Sequence, residues 1–509
     1  MRQTISARIG FSFRLRLTPS AMATNLGLAA MLCAAPSFAA AQESVADKIS
    51  KLDGAMSHIQ QQIGESEREL KDLQLEVSKL RQQANLSIDV PSNAAPDQNA
   101  AALAAAVEEI KDKQDVHESQ LAAQEQAKVG SESKYPVTIS GMILMNTFVN
   151  THAVDSPATP SIAASGSGST GATLRQSILG IDASGPHIFG ASSHADVRAD
   201  FYGGQTGNGY ANGLGFLRLR TAHAELDWKR RTAAFFAYDR PLISPDTPAS
   251  LTAIAEPALA WSGNLWAWNP QAGVSQTLPL HRDLAMQMQA ALIDVADPPN
   301  TLATPAAMPT VAPTTSEQSR WPGIQGRLSL LDSSHEDGAH VGAGSYFAPH
   351  RTASGWSYNS WAGTVDFHFP IISHFAMEGS AYRGQGLGGL GGGAFKDYVY
   401  RSYEGESYFR VLNDAGGWVQ LKQTINERLE FNEAFGVDNV PAHRLRPFAI
   451  DGSGSYYNLA RNRTFTGNVI YRPSAYLLYS IEYRRIESSP VNSSTAPSDV
   501  IGVAAGYRF

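Results

Sequence analysis

The last nine residues of the chain alternate strictly between apolar side chains and small or polar ones. Ile501, Val503, Ala505, Tyr507 and Phe509 fall on one face of a strand, and the residues between them fall on the other. In a soluble protein such a strand leaves a hydrophobic edge open to pairing. A membrane β-barrel needs it, because the last strand pairs with the first and closes the wall. The pattern therefore predicts the closing strand of a barrel.

Upstream of this strand the hydrophobic period is two as far back as Val137, and sixteen strand-like stretches can be placed. They cover residues 137–149, 174–183, 191–202, 216–228, 231–239, 261–278, 283–294, 320–331, 338–347, 357–369, 373–383, 415–423, 428–438, 462–471, 475–486 and 499–509. A soluble β-sandwich alternates in the same way, so the period alone leaves both architectures open.

The connections between these stretches separate the two architectures. Those after even-numbered strands are short, at 229–230, 279–282, 370–372, 424–427 and 472–474. Those after odd-numbered strands are mostly long, at 150–173, 203–215, 240–260, 295–319, 384–414, 439–461 and 487–498. Short turns on one rim and long loops on the other indicate an all-β transmembrane barrel of about sixteen antiparallel strands, with fourteen or eighteen as alternatives. An even number places both barrel ends on the short-turn, periplasmic side.

Residues 1–41 have the order of a secretory signal peptide. Basic residues up to Arg16 precede an apolar stretch, and small residues follow it up to Ala41. A membrane anchor is the alternative, but the apolar stretch is short, so we predict cleavage before Gln42. The one cysteine of the chain, Cys33, falls in this segment. The predicted mature chain therefore has no thiol for a disulfide or a thiolate metal site.

The barrel is predicted to follow an α-helical coiled coil at residues 42–84. Apolar residues recur there at alternating spacings of four and three from Val45 to Ala84, and only Ser66 breaks the series. A single amphipathic helix on a globular core is the alternative, but its apolar face would be wider. The mixture of Ile and Leu leaves dimer and trimer open. The predicted remainder is a linker at 85–102, a second short helix at 103–134 and the barrel at 135–509.

Composition excludes several function classes. The net charge of −7 gives no sign of nucleic-acid binding. No run of 18 apolar residues follows the N-terminal region, so no helical membrane span is predicted. The G-x-G-x-x-G string at 384–389 does not open a helix, which favours a mobile extracellular loop over a dinucleotide site. The 13 histidines form no H-E-x-x-H motif, and no G-x-S-x-G elbow occurs. We predict no enzyme, cofactor or metal.

Three short stretches resemble Gram-negative outer-membrane porins. They are residues 174–182, Asp200-Phe201 and 217–220, and together with the coiled coil they resemble the DcaP-like porins and, more loosely, the phosphate-selective porins. Ile178 departs from the basic residue expected in the first stretch. The terminal Phe509 also resembles the assembly signal of such barrels. The resemblance covers 135–509 and implies a homotrimer in outer-membrane lipid that lets small hydrophilic solutes diffuse passively.

Candidate pore residues lie in one connection and on the inward strand faces. In trimeric porins the loop after the fifth strand folds into the pore, and the apolar residues of 240–260 favour burial. The candidates there are Asp239, Arg240, Asp246 and Glu256. On the wall, the first choices are Arg198, Arg218 and Arg220 with Asp200. The further inward cations are Arg327, Lys422 and Arg484, and the further inward acids are Asp196, Asp366, Glu378, Glu430 and Glu482.

A ladder of inward arginines would attract anions, which suggests an anion-preferring channel. A network of ion pairs that keeps the wall rigid and wet is the alternative for each of these residues. At the level of the whole protein, the alternative function is structural. The coiled coil would then tether the outer membrane to peptidoglycan or to a periplasmic partner. A third class, an outer-membrane hydrolase, would need a catalytic set that the sequence does not offer.

Overall fold

The computed structural model describes residues 135–203, 215–299, 312–334, 338–372, 374–450 and 456–509, all within one compact unit. The predicted signal peptide, coiled coil, linker and second helix lie outside the described residues and stay predictions. Among the described helices, none is long and apolar enough to cross a membrane.

The described residues form nineteen strands. They are β1 (Val137–Val154), β2 (Ala163–Thr173), β3 (Ile178–Ser184), β4 (Ser192–Gly203), β5 (Phe216–Trp228), β6 (Thr232–Asp239), β7 (Asn269–Pro279), β8 (Leu284–Ile293), β9 (Gly323–Asp332), β10 (Ala339–Arg351), β11 (Ser357–Ile372), β12 (Phe375–Gln385), β13 (Tyr398–Tyr403), β14 (Glu406–Val411), β15 (Asn413–Asn426), β16 (Leu429–Asn439), β17 (Leu459–Tyr471), β18 (Leu477–Pro490) and β19 (Ala496–Arg508).

Helical segments are short and occur only in connections of the described part. They are α1 (Thr315–Ser319), α2 (Ala442–Leu445) and the 3₁₀ turns Gly388–Leu390, Gly393–Phe395, Arg446–Phe448 and Tyr456–Asn458.

The strands close into a sixteen-position antiparallel barrel. Each wall strand pairs with the next along the chain, and β19 pairs with β1, where Tyr507 lies opposite Ile143. Both β2 and β3 pair with β1, so they form one wall position interrupted between them. The hairpin β13–β14 is a separate two-stranded sheet. Gly141 and Phe509 exchange backbone hydrogen bonds of 2.9 and 3.1 Å at the seam. The predicted sixteen-stranded barrel is therefore confirmed.

Three predicted boundaries were wrong, each for a physical reason. Residues 163–173 form β2, although their Gly, Ser and Ala side chains give no apolar alternation. The sixth strand begins at Asn269 rather than at 261, because the apolar residues before it are buried in a connection. The predicted loop 384–414 contains the hairpin β13–β14, whose strands are only six residues long.

The two faces of the wall have opposite chemistry. On β18, Tyr479, Ile481 and Tyr483 are exposed on the outer face, while Glu482 and Arg484 on the inner face are buried. Large apolar side chains are exposed in the same way on the outer faces of the other wall strands except β2, which has none. This is the reverse of a soluble protein, and it suits a wall with hydrocarbon outside and a polar interior.

The loop asymmetry predicted from the sequence is present. The connections 229–231, 280–283 and 472–476 are short, whereas 240–268 and 440–458 are long. The hydrogen bonds between Gly141 and Phe509 place both ends of the barrel on the same rim. That rim carries the short turns, because the connections alternate around an even-numbered barrel.

Replacing Ile481 by Arg tests the outward face of β18. The Ile481 side chain is 63% exposed within the outer apolar belt. A charge there would face hydrocarbon, so we expect Ile481→Arg to destabilise the protein by about 2–4 kcal/mol. Reversible urea unfolding in phospholipid vesicles measures the change. Ile450→Arg is the control, because Ile450 is 51% exposed in a connection and should change stability by less than about 0.5 kcal/mol. Equal losses would contradict a lipid-facing β18.

Candidate functional site

The connection between β6 and β7, residues 240–268, is here called the inner loop, because it packs against inward-facing side chains of the wall. At its start, the Leu242 N–H donates to Gln325 Oε1 on β9 at 2.8 Å. The Thr364 hydroxyl on β11 donates to the Ile243 carbonyl at 2.9 Å. Two wall strands therefore hold the start of the inner loop inside the barrel.

The middle of the inner loop is bonded to β17 and β18. The hydroxyls of Ser250 and Thr252 donate to the two carboxylate oxygens of Glu482, at 2.6 and 2.7 Å. The Asn468 amide donates to the Ala249 carbonyl at 2.8 Å. Glu482 is only 2% exposed, so these hydroxyls replace the water that its charge would otherwise bind.

The later part of the inner loop reaches yet other strands. The N–H groups of Ile254 and Ala255 donate to Gln176 Oε1, at the break between β2 and β3, at 2.8 and 3.1 Å. The hydroxyl oxygens of Ser262 and Thr464 on β17 lie 2.8 Å apart. Strands β3, β9, β11, β17 and β18 lie at different positions around the barrel. The inner loop must therefore cross the lumen.

Aromatic packing fixes the end of the inner loop. Trp261 stacks on Phe395 at 4.0 Å and meets Trp266 edge to face at 5.7 Å, and Trp266 meets Trp268 in the same way at 5.5 Å. All four rings are buried in one apolar cluster. This cluster joins the inner loop to the connection between β12 and β13, which is itself folded inward.

A glycine on the wall permits the close approach of the inner loop. Gly436 faces inward on β16, and a Cβ atom placed there would lie 2.1 Å from the Ser262 carbonyl oxygen. No side chain fits that distance, so the inner loop and β16 touch through their backbones.

Two of the predicted wall arginines meet at one buried carboxylate. Asp200 on β4 is 0% exposed and accepts from Arg218 Nε at 2.9 Å and from Arg218 Nη2 at 2.6 Å. Arg220 Nη1 lies 3.9 Å from the same carboxylate. The other hydrogen bond of Arg218 Nη2 goes to the Ala255 carbonyl of the inner loop at 2.7 Å. One carboxylate therefore serves two guanidinium groups, which leaves a positive excess against the inner loop.

Aromatic rings flank these arginines. Arg218 lies between the rings of Tyr202 and Trp268, at 5.7 and 5.2 Å, and Arg220 lies over Trp268 at 5.1 Å. Arg175, at the break between β2 and β3, covers Tyr202 at 4.3 Å. Such cation–π contacts hold guanidinium groups in fixed planes. Tyr202 and Trp268 were not predicted as site residues, because an isolated aromatic in a strand pattern usually indicates packing. Arg175 was noted only as part of the porin-like stretch 174–182, because strand periodicity does not show that it lies beside Tyr202.

Arg198 does not join this group. Its Nη2 donates to Asp182 on β3 at 2.5 Å, and its Nη1 lies 3.8 Å from Asp196. The pairing of β4 with β5 shifts between Arg198 and Ala199, which places Arg198 opposite Thr221. This β-bulge separates Arg198 from the two arginines that the sequence grouped with it.

The predicted residues of the inner loop have separate environments. The Arg240 backbone N–H donates to Asp239 Oδ1 at 2.7 Å, and Arg240 Nη2 donates to the Pro245 carbonyl at 2.5 Å. Asp246 Oδ2 lies 2.9 Å from His340 Nε2. Desolvation, with the neighbouring Asp155 second, raises the pKa of Glu256 to about 8. Glu256 is then mostly neutral at pH 7 and does not cancel the arginine charge.

The remaining wall cations are also paired. Arg327 donates to both oxygens of Asp366, at 3.0 and 2.5 Å. Lys422 lies 3.6 Å from Glu430, and Arg484 Nη2 donates to Glu482 Oε1 at 2.5 Å. These pairs fit the alternative of an ion-pair network in the wall. The described residues thus place the excess positive charge around Arg218 and Arg220 rather than along a continuous ladder.

The barrel is similar to the solved structure of DcaP, an outer membrane channel of Acinetobacter baumannii. The TM-score is 0.55 at 15% identity, and the similarity covers 75% of this chain and 100% of that one. The resemblance predicted from the sequence is thereby confirmed at the level of the fold. No protein-family model matches the sequence, and no curated protein matches it either.

Two further structures match less closely. An anion-selective porin from Comamonas acidovorans gives a TM-score of 0.44 at 10% identity, covering 74% of this chain and 100% of that one. OmpF of Salmonella typhi, solved with daunomycin, gives 0.44 at 11% identity, covering 74% of this chain and 98% of that one.

Filling the position of Gly436 tests how the inner loop is seated. We expect Gly436→Val to destabilise the protein by about 1–3 kcal/mol, because the new side chain collides with the Ser262 carbonyl. Urea unfolding followed by tryptophan fluorescence measures the loss. The control is Gly363→Val on the outer face, where an added Cβ meets nothing within 4 Å. If both variants were equally stable, the inner loop would not lie against β16.

Proposed function

We propose that the protein is a porin of the bacterial outer membrane that lets small hydrophilic solutes diffuse passively. The observation that carries the proposal is the inner loop, held across the lumen by side chains of β9, β11, β17 and β18. The barrel wall is closed without the inner loop, so the effect of the inner loop is to narrow the lumen. The polar inner face and the apolar outer face of the wall support the same function.

The inner loop and the wall opposite it would form the constriction. We propose Arg218 and Arg220, with Asp200, as the residues that set charge selectivity, and Arg240, Asp246 and Glu256 as the contribution of the inner loop. Arg198 lies farther along the wall with its own acidic partners. Guanidinium groups in a narrow, partly desolvated passage concentrate anions, so we propose an anion preference. Diffusion requires no catalysed reaction.

Assembly and placement belong to the same proposal. We propose a homotrimer, because the fold is shared with porins and because the heptads of 42–84 allow three strands. Since both barrel ends lie on the short-turn rim, the predicted coiled coil would extend into the periplasm. There it would be able to reach peptidoglycan or a periplasmic partner. Deleting residues 42–130 distinguishes such tethering from transport, because a tether would be lost while the conductance stays unchanged.

Planar-bilayer recording of the full-length protein tests the channel function. We expect discrete conductance steps, and in a salt gradient a reversal potential on the anion side. Steps grouped in threes would support the trimer. Folded protein that inserts without conductance would contradict the porin function, and a cation-side reversal would contradict the anion preference alone.

The Arg220→Gln variant tests the charge selectivity. It removes one guanidinium group while Arg218 still satisfies the buried Asp200, so the fold should persist. We expect the anion-to-cation permeability ratio to fall roughly two- to threefold, because about 0.5 kcal/mol of electrostatic attraction is lost. The reversal potential in a salt gradient measures this ratio. The control is Arg461→Gln, which changes an exposed arginine on the outer side of β17 and should leave the ratio unchanged.

A further inference from the structure

A carboxylate of the inner loop, an imidazole and a second carboxylate meet at the inner face of the wall. Asp246 belongs to the inner loop, His340 to β10 and Asp366 to β11, and we call them the loop–wall cluster. His340 Nε2 lies 2.9 Å from Asp246 Oδ2 and 3.5 Å from Asp366 Oδ2. All three ligand atoms lie within 4.8 Å of one another.

These distances suit one tetrahedral metal ion. Zinc binds histidine nitrogen and carboxylate oxygen at about 2.0–2.2 Å, which separates neighbouring ligand atoms by roughly 3.3–3.5 Å in a tetrahedron. The two nitrogen–oxygen distances of the loop–wall cluster bracket that separation to within about half an ångström. A small opening of the His340–Asp246 contact would therefore admit the ion.

The surroundings hold the ligands in place. Arg327 donates to both oxygens of Asp366, and each carboxylate oxygen keeps a second lone pair for a metal. Carboxylate ligands of metal sites are commonly oriented by such an outer partner. His368 stacks on His340 with 5.9 Å between the ring centroids and is anchored through Nδ1 to Glu378 at 3.1 Å.

A further nitrogen lies beside the cluster. His368 is 7% exposed, and its Nε2 has no hydrogen-bond partner among the described residues. A buried polar atom without a partner is costly, so an unpartnered nitrogen on the ring that stacks on His340 supports a ligand at this place. The side chains of His340 and Asp246 are each 20% exposed, which leaves the cluster open to the lumen for a water ligand.

We propose that Asp246, His340 and Asp366 bind a divalent transition-metal ion such as Zn²⁺, with solvent completing its coordination. One nitrogen and two oxygens suit zinc or a related ion, whereas Ca²⁺ and Mg²⁺ prefer oxygen ligands alone. Because Asp246 belongs to the inner loop and its two partners belong to the wall, the ion fastens the inner loop to β10 and β11. The site goes beyond the proposed diffusion function, and its ligands do not depend on transport.

Equilibrium dialysis of the full-length protein against Zn²⁺ alone tests the site without reference to conductance. We expect one Zn²⁺ per chain that excess Ca²⁺ does not displace. His340→Ala and Asp246→Asn should each raise the dissociation constant at least about tenfold, since ligand loss should cost no less than loss of an outer partner. His443→Ala, on the short helix α2, is the matched control and should bind as the parent does.

Two results would overturn the metal site. One is the absence of stoichiometric Zn²⁺ binding by folded protein, and the other is binding that neither variant weakens. Circular dichroism shows whether each variant keeps its β-sheet, and Asp246→Asn guards against a folding failure of His340→Ala. If the site exists and the protein is also a channel, Zn²⁺ should change the single-channel conductance of the parent protein but not that of His340→Ala. Zinc binding without any conductance would leave the site standing and contradict the porin function alone.

Discussion

The constraint on which the structure depends is that hydrocarbon offers no hydrogen bonds to a backbone. Every wall strand must therefore have a partner on each side, and the first strand must meet the last. The pairing of β1 with β19, completed by the backbone bonds between Gly141 and Phe509, meets this requirement at the seam. In the closed wall, residues that are paired across neighbouring strands lie on the same face. The side chains of every strand therefore alternate between the lumen and the outside. The polar lumen is thus a consequence of the closed wall.

Inside that wall, the inner loop brings together residues that are far apart in sequence. Its polar contacts use inward wall side chains that would otherwise face the water of the lumen, such as Glu482 and Gln176. Its apolar contacts use a tryptophan cluster that continues into a neighbouring connection. The same fold of the inner loop sets Arg218 against Ala255 and Asp246 against His340. The proposed selectivity and the proposed metal site therefore both depend on the inner loop and on its contacts with the wall.

The sequence predicted those parts of the fold that come from strict alternation and loop length. The strand pattern near the end of the chain is clear because Ile481 and Val503 are large and their inward neighbours are polar or small. β2 was missed because its Gly and Ser residues carry no such contrast. Trp261 and Trp266 were placed in a strand because a run of apolar residues is the same pattern whether it lies in a wall or in a buried loop.

From the sequence, contacts within the candidate site could be predicted only between residues on neighbouring strands. Arg218 and Asp200 pair across adjacent strands, so their proximity follows from the strand order. The sequence grouped Arg198 with Arg218 and Arg220, whereas Arg198 donates to Asp182 beside a bulge that leaves no mark in the sequence. The meeting of Asp246 with His340 depends on the path of the inner loop, which strand periodicity does not specify.

A disulfide between the inner loop and the wall tests the central claim most directly. In a Cys33→Ala background, Ser262→Cys and Thr464→Cys would replace two hydroxyls whose oxygens are 2.8 Å apart, so the two sulfur atoms would start close to bonding distance. We predict nearly complete cross-linking under mild oxidation of the folded protein. The control pairs Ser262→Cys with Val469→Cys on the outer face, and it should not cross-link. Free thiols at 262 and 464 in folded, oxidised protein would show that the inner loop does not cross the lumen, and would contradict the account.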